Sequence, residues 1–306
     1  MTGFSTDWLA LREPFDQAAR AAPIDPAFFA ALKARVLDGG ALAIVDLGCG
    51  TGANLREIAP RLGGRQHWRL VDHDARVLAA LPDALAPWAA ARGLQLRVDA
   101  GQPPVIDGPD GLHVEVTPHQ ADLVGALSAL PLAGAHLVTA SALLDLVSAP
   151  WLDALLQRCQ AEDSAVWWAL NVDDRIDWSP GDAEDARIHA LFRAHQQHDK
   201  GFGPALGGAA TAHATQRLAH PDWRVQTVQT DWQIDAHRGA AEAAMLYAMI
   251  DGIGAAASEQ APDEAEAVAQ WQQRKRAQIG GLQLRVGHSD VLGWSGPSRL
   301  RRRAAG

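Results

Sequence analysis

The fold of this chain is limited most by an apolar run that is broken only by Asp46 and is followed directly by a cluster of glycines. The run covers residues 41–47, and Gly48, Gly50 and Gly52 follow at alternate positions. An apolar stretch of this kind predicts a strand buried on both faces, as in a parallel sheet with helices on either side. Glycines permit a sharp turn and leave backbone N–H groups open to a ligand, because no Cβ intrudes. Since a helical pattern follows over 54–62, the segment predicts a strand, a ligand-binding loop and a helix.

Strand and helix patterns alternate along most of the chain. The predicted strands cover residues 68–71, 94–98, 112–117, 135–139, 165–170, 223–230 and 282–286, and the predicted helices cover 75–91, 150–159 and 183–198. Short helices are predicted over 7–37, a hairpin-like insertion around Pro103, and a long helical region interrupted near Pro262. This order favours an α/β fold, a doubly wound, Rossmann-like and mostly parallel sheet of about seven strands with N-terminal helices and a helical substrate cover.

Composition narrows the range of partners. The 306 residues are 48% hydrophobic and 21% charged, with a formal net charge of −9. Such fractions are typical of folded soluble chains and exclude wholesale disorder. The negative charge disfavours nucleic acid and anionic membranes as partners, because both attract positively charged surfaces. We therefore expect a small-molecule substrate, leave a homo-oligomer open, and interpret the basic residues at the end of the chain as a solvated tail: Arg299, Arg301, Arg302 and Arg303.

Cysteine content and hydropathy indicate the compartment. Cys49 and Cys159 are the only cysteines, and a chain of this length needs no disulfide, so we expect reduced thiols and a cytoplasmic location. The first residues lack the pattern of a secretory signal. Residues 123–144 contain no charged side chain, but a proline, a glycine and a histidine interrupt them. They predict a helix end, a loop and a buried strand rather than a membrane span.

The segment from Val45 to Gly52, with the sequence VDLGCGTG, resembles the first motif of class I S-adenosylmethionine-dependent methyltransferases, a Rossmann-like superfamily. The resemblance covers residues 41–170 and implies that this half of a 41–306 domain binds S-adenosyl-L-methionine. Residues 171–306 would form the substrate side, and residues 1–40 a helical cap. In this family an acidic residue at the position of Asp46 orients the loop and lies near the methionine amino group of the cofactor.

The same resemblance implies further cofactor contacts. The segment from Leu70 to Asp74 is similar to the second motif, in which Asp72 would accept hydrogen bonds from the ribose diol, and Asp122 would meet the adenine amino group. Residues 136–145 resemble the fourth motif and lack the acidic-Pro-Pro-aromatic tetrad, which disfavours DNA or protein amide nitrogen as the acceptor. The predicted cofactor-binding residues are Asp46, Gly48, Cys49, Gly50, Thr51, Gly52, Asn54, Asp72, His73, Asp122, Leu123, Ser141, Arg12 and Arg20.

A dinucleotide site is the main rival for the glycine loop. Gly48, Gly50 and Ala53 also match the G-x-G-x-x-G/A pattern, and Asp72 follows about twenty residues later. Both kinds of site use an acidic residue there. Asp46 and the third glycine at Gly52 favour S-adenosylmethionine over NAD.

The substrate side is less patterned. His198 and Asp199 lie beside glycines, as in a substrate-facing loop, and are our acid/base candidates; a polar helix end with a glycine cap is the alternative. Three histidines, at positions 189, 195 and 198, lack ligands at a convincing metal spacing, so we expect no metal. Arg12 and Arg20 belong to a leading helix that related enzymes often fold over the cofactor, where a guanidinium can bind a carboxylate. His288 and Asp290 are weaker pocket candidates, and Asp145 is interpreted as structural.

These features predict a methyltransferase that transfers a methyl group in line from S-adenosyl-L-methionine to a small or medium-sized molecule. Three alternatives stay open. The sulfonium could serve cyclisation or another alkyl transfer, the chain could bind S-adenosylmethionine without catalysis, or it could be an NAD-dependent oxidoreductase.

Overall fold

The computed structural model describes residues 6–36, 39–125 and 127–296. Within them, ten strands form one sheet: β1 (Leu42–Leu47), β2 (Arg65–Asp72), β3 (Gln95–Arg97), β4 (Val105–Asp107), β5 (His113–Gln120), β6 (Leu137–Ser141), β7 (Ala165–Ser179), β8 (Trp223–Gln229), β9 (Trp232–Asp235) and β10 (Gln283–Ser295). The helices are α1 (Thr6–Ala19), α2 (Pro26–Lys33), α3 (Ala53–Leu62), α4 (Ala75–Ala79), α5 (Leu81–Ala91), α6 (Ala149–Glu162), α7 (Asp185–Gln196), α8 (Ala210–Leu218), α9 (Ala240–Gln260) and α10 (Ala265–Ala277). The basic residues Arg299, Arg301, Arg302 and Arg303 lie outside the described residues.

The strand order is β3-β4-β5-β2-β1-β6-β7-β10-β8, with β9 paired to β10. Strands β5, β2, β1, β6 and β7 are parallel, and the flanking pairs are antiparallel. The chain moves outward from β1 through β2 to β5 and then returns to β6 on the other side of β1. This reversal is the topological switch point of a doubly wound sheet, where α/β proteins bind ligands beyond the carboxyl ends of the strands.

The predicted fold class is confirmed, and several details are corrected. The sheet has ten strands rather than about seven. The predicted insertion contains β4, β9 was not predicted, and β7 and β10 extend well past their predicted ends at residues 170 and 286. The helix predicted over 75–91 is two helices, because Pro82 stands at the first turn of α5, where its ring suits a new helix start.

Buried side chains form three clusters. One lies on each face of the parallel sheet, against α2, α3 and α5 on one side and α6 and α8 on the other. The third lies where β7 and β10 pair beyond the parallel region, from Val286 opposite Ile176 to Gln283 opposite Ser179. There α1, α7, α9 and α10 pack on the extended strands. The extension therefore supports a helical layer beside the carboxyl end of the sheet.

The α9 helix is the one described helix long and apolar enough to span a membrane by length and composition. Core helices of soluble proteins pass the same test. Its buried residues, which include Met245, Ile250 and Ile253, belong to the third cluster.

A cluster of aromatic rings joins the N-terminal helices to the sheet. The Phe28 side chain is fully buried, with its ring 5.8 Å from that of Trp167 and 5.5 Å from that of Trp294. The neighbouring Phe29 is half-buried and contacts the same Trp167 ring at 6.3 Å. Edge-to-face contacts of this kind add to the free energy of burial.

We expect Phe28→Ala to lower the free energy of unfolding by about 3–5 kcal/mol, because it leaves a cavity between the two tryptophans. Urea denaturation measures the change. Phe29→Ala is the matched control and should cost clearly less, since its ring is partly exposed. Equal losses in the two variants would contradict this account of the core.

Candidate functional site

The glycine loop lies at the switch point, between the carboxyl end of β1 and the start of α3. Gly48, Gly50 and Gly52 adopt φ angles of +65°, +53° and +80°, a region that side chains other than glycine rarely enter. The Gly50 N–H donates to Asp72 Oδ2 at 3.0 Å, and the Cys49 N–H donates to the Val71 carbonyl at 3.0 Å. Both hydrogen bonds tie the loop to the end of β2. A Cβ at Gly50 would meet nothing within 4 Å, so open space lies directly over the loop.

A buried polar network supports the loop from below. Asn54 Nδ2 donates to Asp46 Oδ1 at 2.9 Å and to Thr139 Oγ1 at 2.8 Å, and Arg20 Nη1 donates to Asn54 Oδ1 at 2.7 Å. Asp46 is fully buried, and its Oδ2 has no hydrogen-bond partner among the described residues. Burial raises the pKa of Asp46 to about 7, against the opposing effect of Asn54 and Arg20. The network leaves one acceptor oxygen and a partly ionised carboxyl beneath the loop.

The cavity over the loop, the loop cavity, has a volume of about 460 Å³. The glycine loop forms its floor, and the other lining residues include Arg12, Glu13, Asp16, Asn54, Trp88, Ser141 and Ala142. The volume is typical of small-ligand sites.

Helix α1 closes the loop cavity from above and is fastened to α3. Arg56 donates to Glu13 Oε1 from Nε at 2.9 Å and from Nη2 at 2.7 Å, and its Nη1 donates to the Thr51 carbonyl at 2.7 Å. The Arg56 side chain is only 5% exposed and that of Glu13 is 29% exposed, so the ion pair is shielded from water mainly on the arginine side. One guanidinium thus joins the cap helix to the glycine loop.

A second cavity, the apolar cavity, has a volume of about 420 Å³ and lies under the helical layer. Its walls include Trp8, Leu146, Ile176, Phe192, Trp232, Met249 and Ile253. Arg12 and Ala142 line both cavities, so the two spaces meet there. Ala142 has a φ of +52°, an uncommon conformation for a residue with a Cβ, and such strain concentrates at functional sites.

Arg12 is held firmly at this junction. Its guanidinium donates to both carboxylate oxygens of Asp16, at 2.9 Å and 3.2 Å, and stacks over the Trp232 ring at 5.3 Å. Asp16 Oδ1 also accepts a hydrogen bond from Trp232 Nε1 at 3.0 Å. The charge of Arg12 is therefore largely compensated by Asp16.

Besides Arg12, three side chains with acceptor atoms line the apolar cavity, and we call them the acceptor cluster: Asp145, Gln196 and His288. Asp145 is buried, and its Oδ1 has no hydrogen-bond partner within the described ranges. Burial raises the pKa of Asp145 to about 6, partly offset by Arg12 and the backbone N–H of Val172. The apolar cavity therefore contains a carboxyl that titrates near neutral pH.

The structure brings half of the fourteen predicted cofactor residues together in the loop cavity. Gly48, Cys49, Gly50, Thr51, Asn54, Ser141 and Arg12 all line the loop cavity. Asp72 supports the loop through Gly50, and Gly52 begins α3 without a side-chain cap. Cys49 and Cys159 are both free and buried, as expected of reduced thiols.

Other predicted residues lie outside the loop cavity. Arg20 is buried behind Asn54 and over the Trp167 ring, at 5.4 Å from its centroid, so it reaches the cavity only through Asn54. His73 is exposed, with Nδ1 3.2 Å from Asp72 Oδ1. Asp122 is exposed and accepts the N–H of Val124 at 2.9 Å in a local turn.

Leu123, beside Asp122, is buried next to the loop. Its Cδ1 lies 3.9 Å from the position that a Cβ on Gly48 would take, and its carbonyl accepts a hydrogen bond from Trp151 Nε1 at 2.8 Å. Of the predicted pair, Leu123 rather than Asp122 contacts the glycine loop.

The acid/base candidates lie away from both cavities. His198 and Asp199 are exposed, and Asp199 Oδ1 accepts the N–H groups of Gly201 at 2.6 Å and Gly203 at 2.9 Å. This geometry corresponds to the alternative interpretation, a polar helix end followed by a glycine turn.

The structure reverses the predicted roles of two aspartates: Asp290, a weak pocket candidate, and Asp145, interpreted as structural. Asp290 is buried and structural, because its carboxylate accepts hydrogen bonds from Trp167 Nε1, the Leu170 N–H and Thr230 Oγ1, each at 2.9 Å. Asp145, interpreted as structural, instead lines the apolar cavity with an unpaired oxygen. The one local signal for Asp145 is its place at the end of the fourth-motif segment.

A metal site finds no support in the described part of the chain, where no group of three or more His, Cys, Asp or Glu side chains could hold an ion. His189 Nε2 accepts a hydrogen bond from Trp178 Nε1 at 3.0 Å, and His195 pairs with Glu259 at 2.9 Å.

No protein-family model and no curated protein matches the sequence. Solved structures that are similar in fold include a cyclopropane-fatty-acyl-phospholipid synthase-like protein from Lactobacillus casei, at 16% identity over 96% of this chain and 95% of that chain, with a TM-score of 0.48. A cyclopropane synthase from Mycobacterium tuberculosis is 9% identical over 94% of both chains, with a TM-score of 0.44. Phosphoethanolamine N-methyltransferase 2 from Haemonchus contortus, solved with phosphomonomethylethanolamine and S-adenosylhomocysteine, is 13% identical over 97% of this chain and 59% of that chain, with a TM-score of 0.41.

We expect Glu13→Gln to loosen α1 over the loop cavity, because it leaves the buried Arg56 without its counter-charge at a cost of about 1–3 kcal/mol. Hydrogen exchange should show faster amide exchange in α1. Asp153→Asn is the control, since Asp153 of α6 pairs with His213 and Arg217 of α8 and does not line the loop cavity. Unchanged exchange in α1, or an equal increase in the control, would contradict the fastening role.

Proposed function

We propose that the chain is an S-adenosylmethionine-dependent methyltransferase that acts on a small or medium-sized molecule. The observation that carries the proposal is the junction of the two cavities. A glycine loop at the switch point opens into a polar-floored cavity, and that cavity meets an apolar one at Arg12 and Ala142. Such a pair of connected sites suits a nucleoside-containing methyl donor and a separate acceptor.

The residues of the loop cavity fit the donor. Gly48 and Gly50 leave space against the backbone in the loop cavity, whereas Gly52 packs against Leu81. The N-terminus of α3, without a side-chain cap, favours a carboxylate. Asp72 uses one lone pair on each oxygen, for the N–H groups of Gly50 and Asp74, and a carboxylate has capacity for further donors such as a ribose diol. Asp46, which accepts a hydrogen bond from the lining residue Asn54, is a partly ionised carboxyl that favours a cationic ligand nearby.

S-Adenosylmethionine, when bound, supplies a methyl group on a positively charged sulfur that is already a good leaving group. The chain's contribution is then mainly to position the acceptor and to exclude water. Helix α1 performs both tasks, because it covers the loop cavity and supplies Arg12 and Trp8 to the apolar one.

The sheet favours this proposal over an NAD-dependent oxidoreductase. A dinucleotide-binding sheet is built from two similar βαβαβ halves, with a further parallel strand beyond the fifth. Here the strand next to β7 is the antiparallel β10, and its extension holds the apolar cavity instead.

Calorimetric titration with S-adenosylmethionine, S-adenosylhomocysteine and NAD tests the proposal. We expect binding of the first two and none of NAD. Incubation with a panel of apolar small molecules, followed by mass spectrometry, should then show formation of S-adenosylhomocysteine with a methylated product. Binding of NAD alone would overturn the proposal. Binding without any product would favour a non-catalytic module, and a cyclised or otherwise alkylated product would favour another use of the sulfonium.

Gly50→Ala should weaken S-adenosylmethionine binding by about tenfold or more, because the new Cβ occupies the loop cavity and the left-handed backbone is strained by roughly 1 kcal/mol. Gly134→Ala is the matched control. Gly134 has a φ of +65°, has open space where a Cβ would stand, with no atom within 4 Å, and does not line the loop cavity. Calorimetry should give unchanged affinity for the control; equal effects in the two variants would contradict the placement of the ligand.

A further inference from the structure

We propose that the acceptor is an apolar amine, whose ammonium group binds the acceptor cluster of Asp145, Gln196 and His288. The inference rests on the proposed function and adds the class of its substrate. It also names the residue that receives the proton of the amine.

The cluster presents unpaired acceptor atoms. Asp145 Oδ1 and Gln196 Oε1 are both buried and lack hydrogen-bond partners in the part of the chain that the structure describes. His288 Nδ1 lies 3.1 Å from the Val286 carbonyl and so carries the ring proton, which leaves Nε2 as an acceptor. Burial lowers the pKa of His288 to about 4, so the ring is neutral near pH 7. The three residues that carry these acceptor atoms line one cavity.

A buried acceptor atom without a hydrogen-bond partner costs free energy. The class of ligand therefore follows from the number of these acceptors and from the negative charge of Asp145. A hydrocarbon would leave all three acceptors unpaired, and an anion would be repelled by Asp145. An alcohol carries one donor hydrogen. A primary ammonium carries three donors and a positive charge, which matches three acceptors that include a carboxylate.

The charges around Asp145 support a cationic ligand. Arg12 approaches it from α1 and favours its ionised form, but two of the three guanidinium nitrogens, Nε and Nη2, already donate to Asp16. Asp174 of β7 adds negative charge, and His288 of β10 is neutral. No other charged residue lines the apolar cavity in the described ranges.

The walls of the cavity suit an apolar body next to the ammonium. Trp8, Phe192 and Trp232 contribute aromatic surface, and Met249 and Ile253 contribute aliphatic surface. Aromatic faces also attract cations. The cluster and the walls together describe a molecule with one amine and a hydrophobic remainder.

The amine must lose a proton before its nitrogen can bond to carbon. Asp145 Oδ1 accepts that proton: the N–H bond breaks, its electron pair stays on nitrogen as the nucleophilic lone pair, and the carboxylate becomes a carboxylic acid. The nitrogen lone pair then forms the bond to the methyl carbon, while the carbon–sulfur pair leaves with sulfur, which becomes a neutral thioether. Asp145 returns its proton to solvent after the product leaves.

The test measures binding of three probes of similar shape to the full chain: 2-phenylethylamine, 2-phenylethanol and ethylbenzene. Calorimetric titrations are made with and without S-adenosylhomocysteine. We expect the amine to bind about tenfold or more tightly than either neutral probe at pH 7.5. The preference should disappear as the pH falls through about 6, because protonation removes the Asp145 charge while the amine stays charged.

Asp145→Asn should abolish the preference for the amine and its pH dependence, while the affinity for S-adenosylhomocysteine is retained. Asp177→Asn is the control, since Asp177 lies on the same strand as the cavity residue Ile176 but has a side chain that is 66% exposed. It should keep the preference. Retained affinity for S-adenosylhomocysteine shows that the Asp145 variant is folded.

Equal binding of the three probes, tighter binding of the alcohol, or an amine preference that survives in Asp145→Asn would each overturn the inference. These outcomes are distinct from failure of the proposed function, which is loss of S-adenosylmethionine binding in the unaltered protein. Because the titrations are also made without S-adenosylhomocysteine, the cluster is tested even in that case.

Discussion

The buried hydrogen bonds of Asn54 are the interaction on which the site depends. One side chain at the start of α3 joins Asp46 of β1, Thr139 of β6 and Arg20, which follows α1. These partners belong to both sides of the switch point and to the cap, so their relative positions are set by a single amide. Charges buried in this way are tolerated only when they are hydrogen-bonded, and the network satisfies them except for one oxygen of Asp46 and two nitrogens of Arg20.

The second constraint is the length of β7 and β10. Both strands continue past the parallel sheet as an antiparallel pair, and this pair gives α1, α7 and α9 a surface to pack on. The apolar cavity is the space left between that layer, the end of β6 and the middle of β7. Asp290 fixes the inner edge of this space, because it accepts the N–H of Leu170, a cavity residue with a φ of +54°. Helix α1 then brings the two cavities into contact.

Local sequence was sufficient to predict the strands and the loop around Gly48–Gly52, but not which polar side chains near them line the loop cavity. The apolar run before Gly48 and the spacing to Asp72 are short-range patterns, and they predicted β1, the loop and the end of β2 correctly. The substrate side depends on contacts between distant segments, which no local pattern reports. Asp145 is buried because α1, β7 and β10 converge on it, whereas His198 and Asp199 have a polar and glycine-rich neighbourhood that resembles a functional loop but ends in an exposed turn. Asp145 therefore differs from His198 and Asp199 in the strands and helices that pack around it, and not in the residue types that neighbour it in the sequence.

We propose that a nucleoside sulfonium compound binds on the glycine loop with its sulfur at the junction of the two cavities. A crystal structure of the protein with S-adenosylhomocysteine is the decisive measurement. We expect electron density with the ribose hydroxyls against Asp72 and the sulfur next to Ala142 and Arg12. Density for the ligand at another place on the molecule, with the space over Gly50 filled by protein side chains, would contradict it.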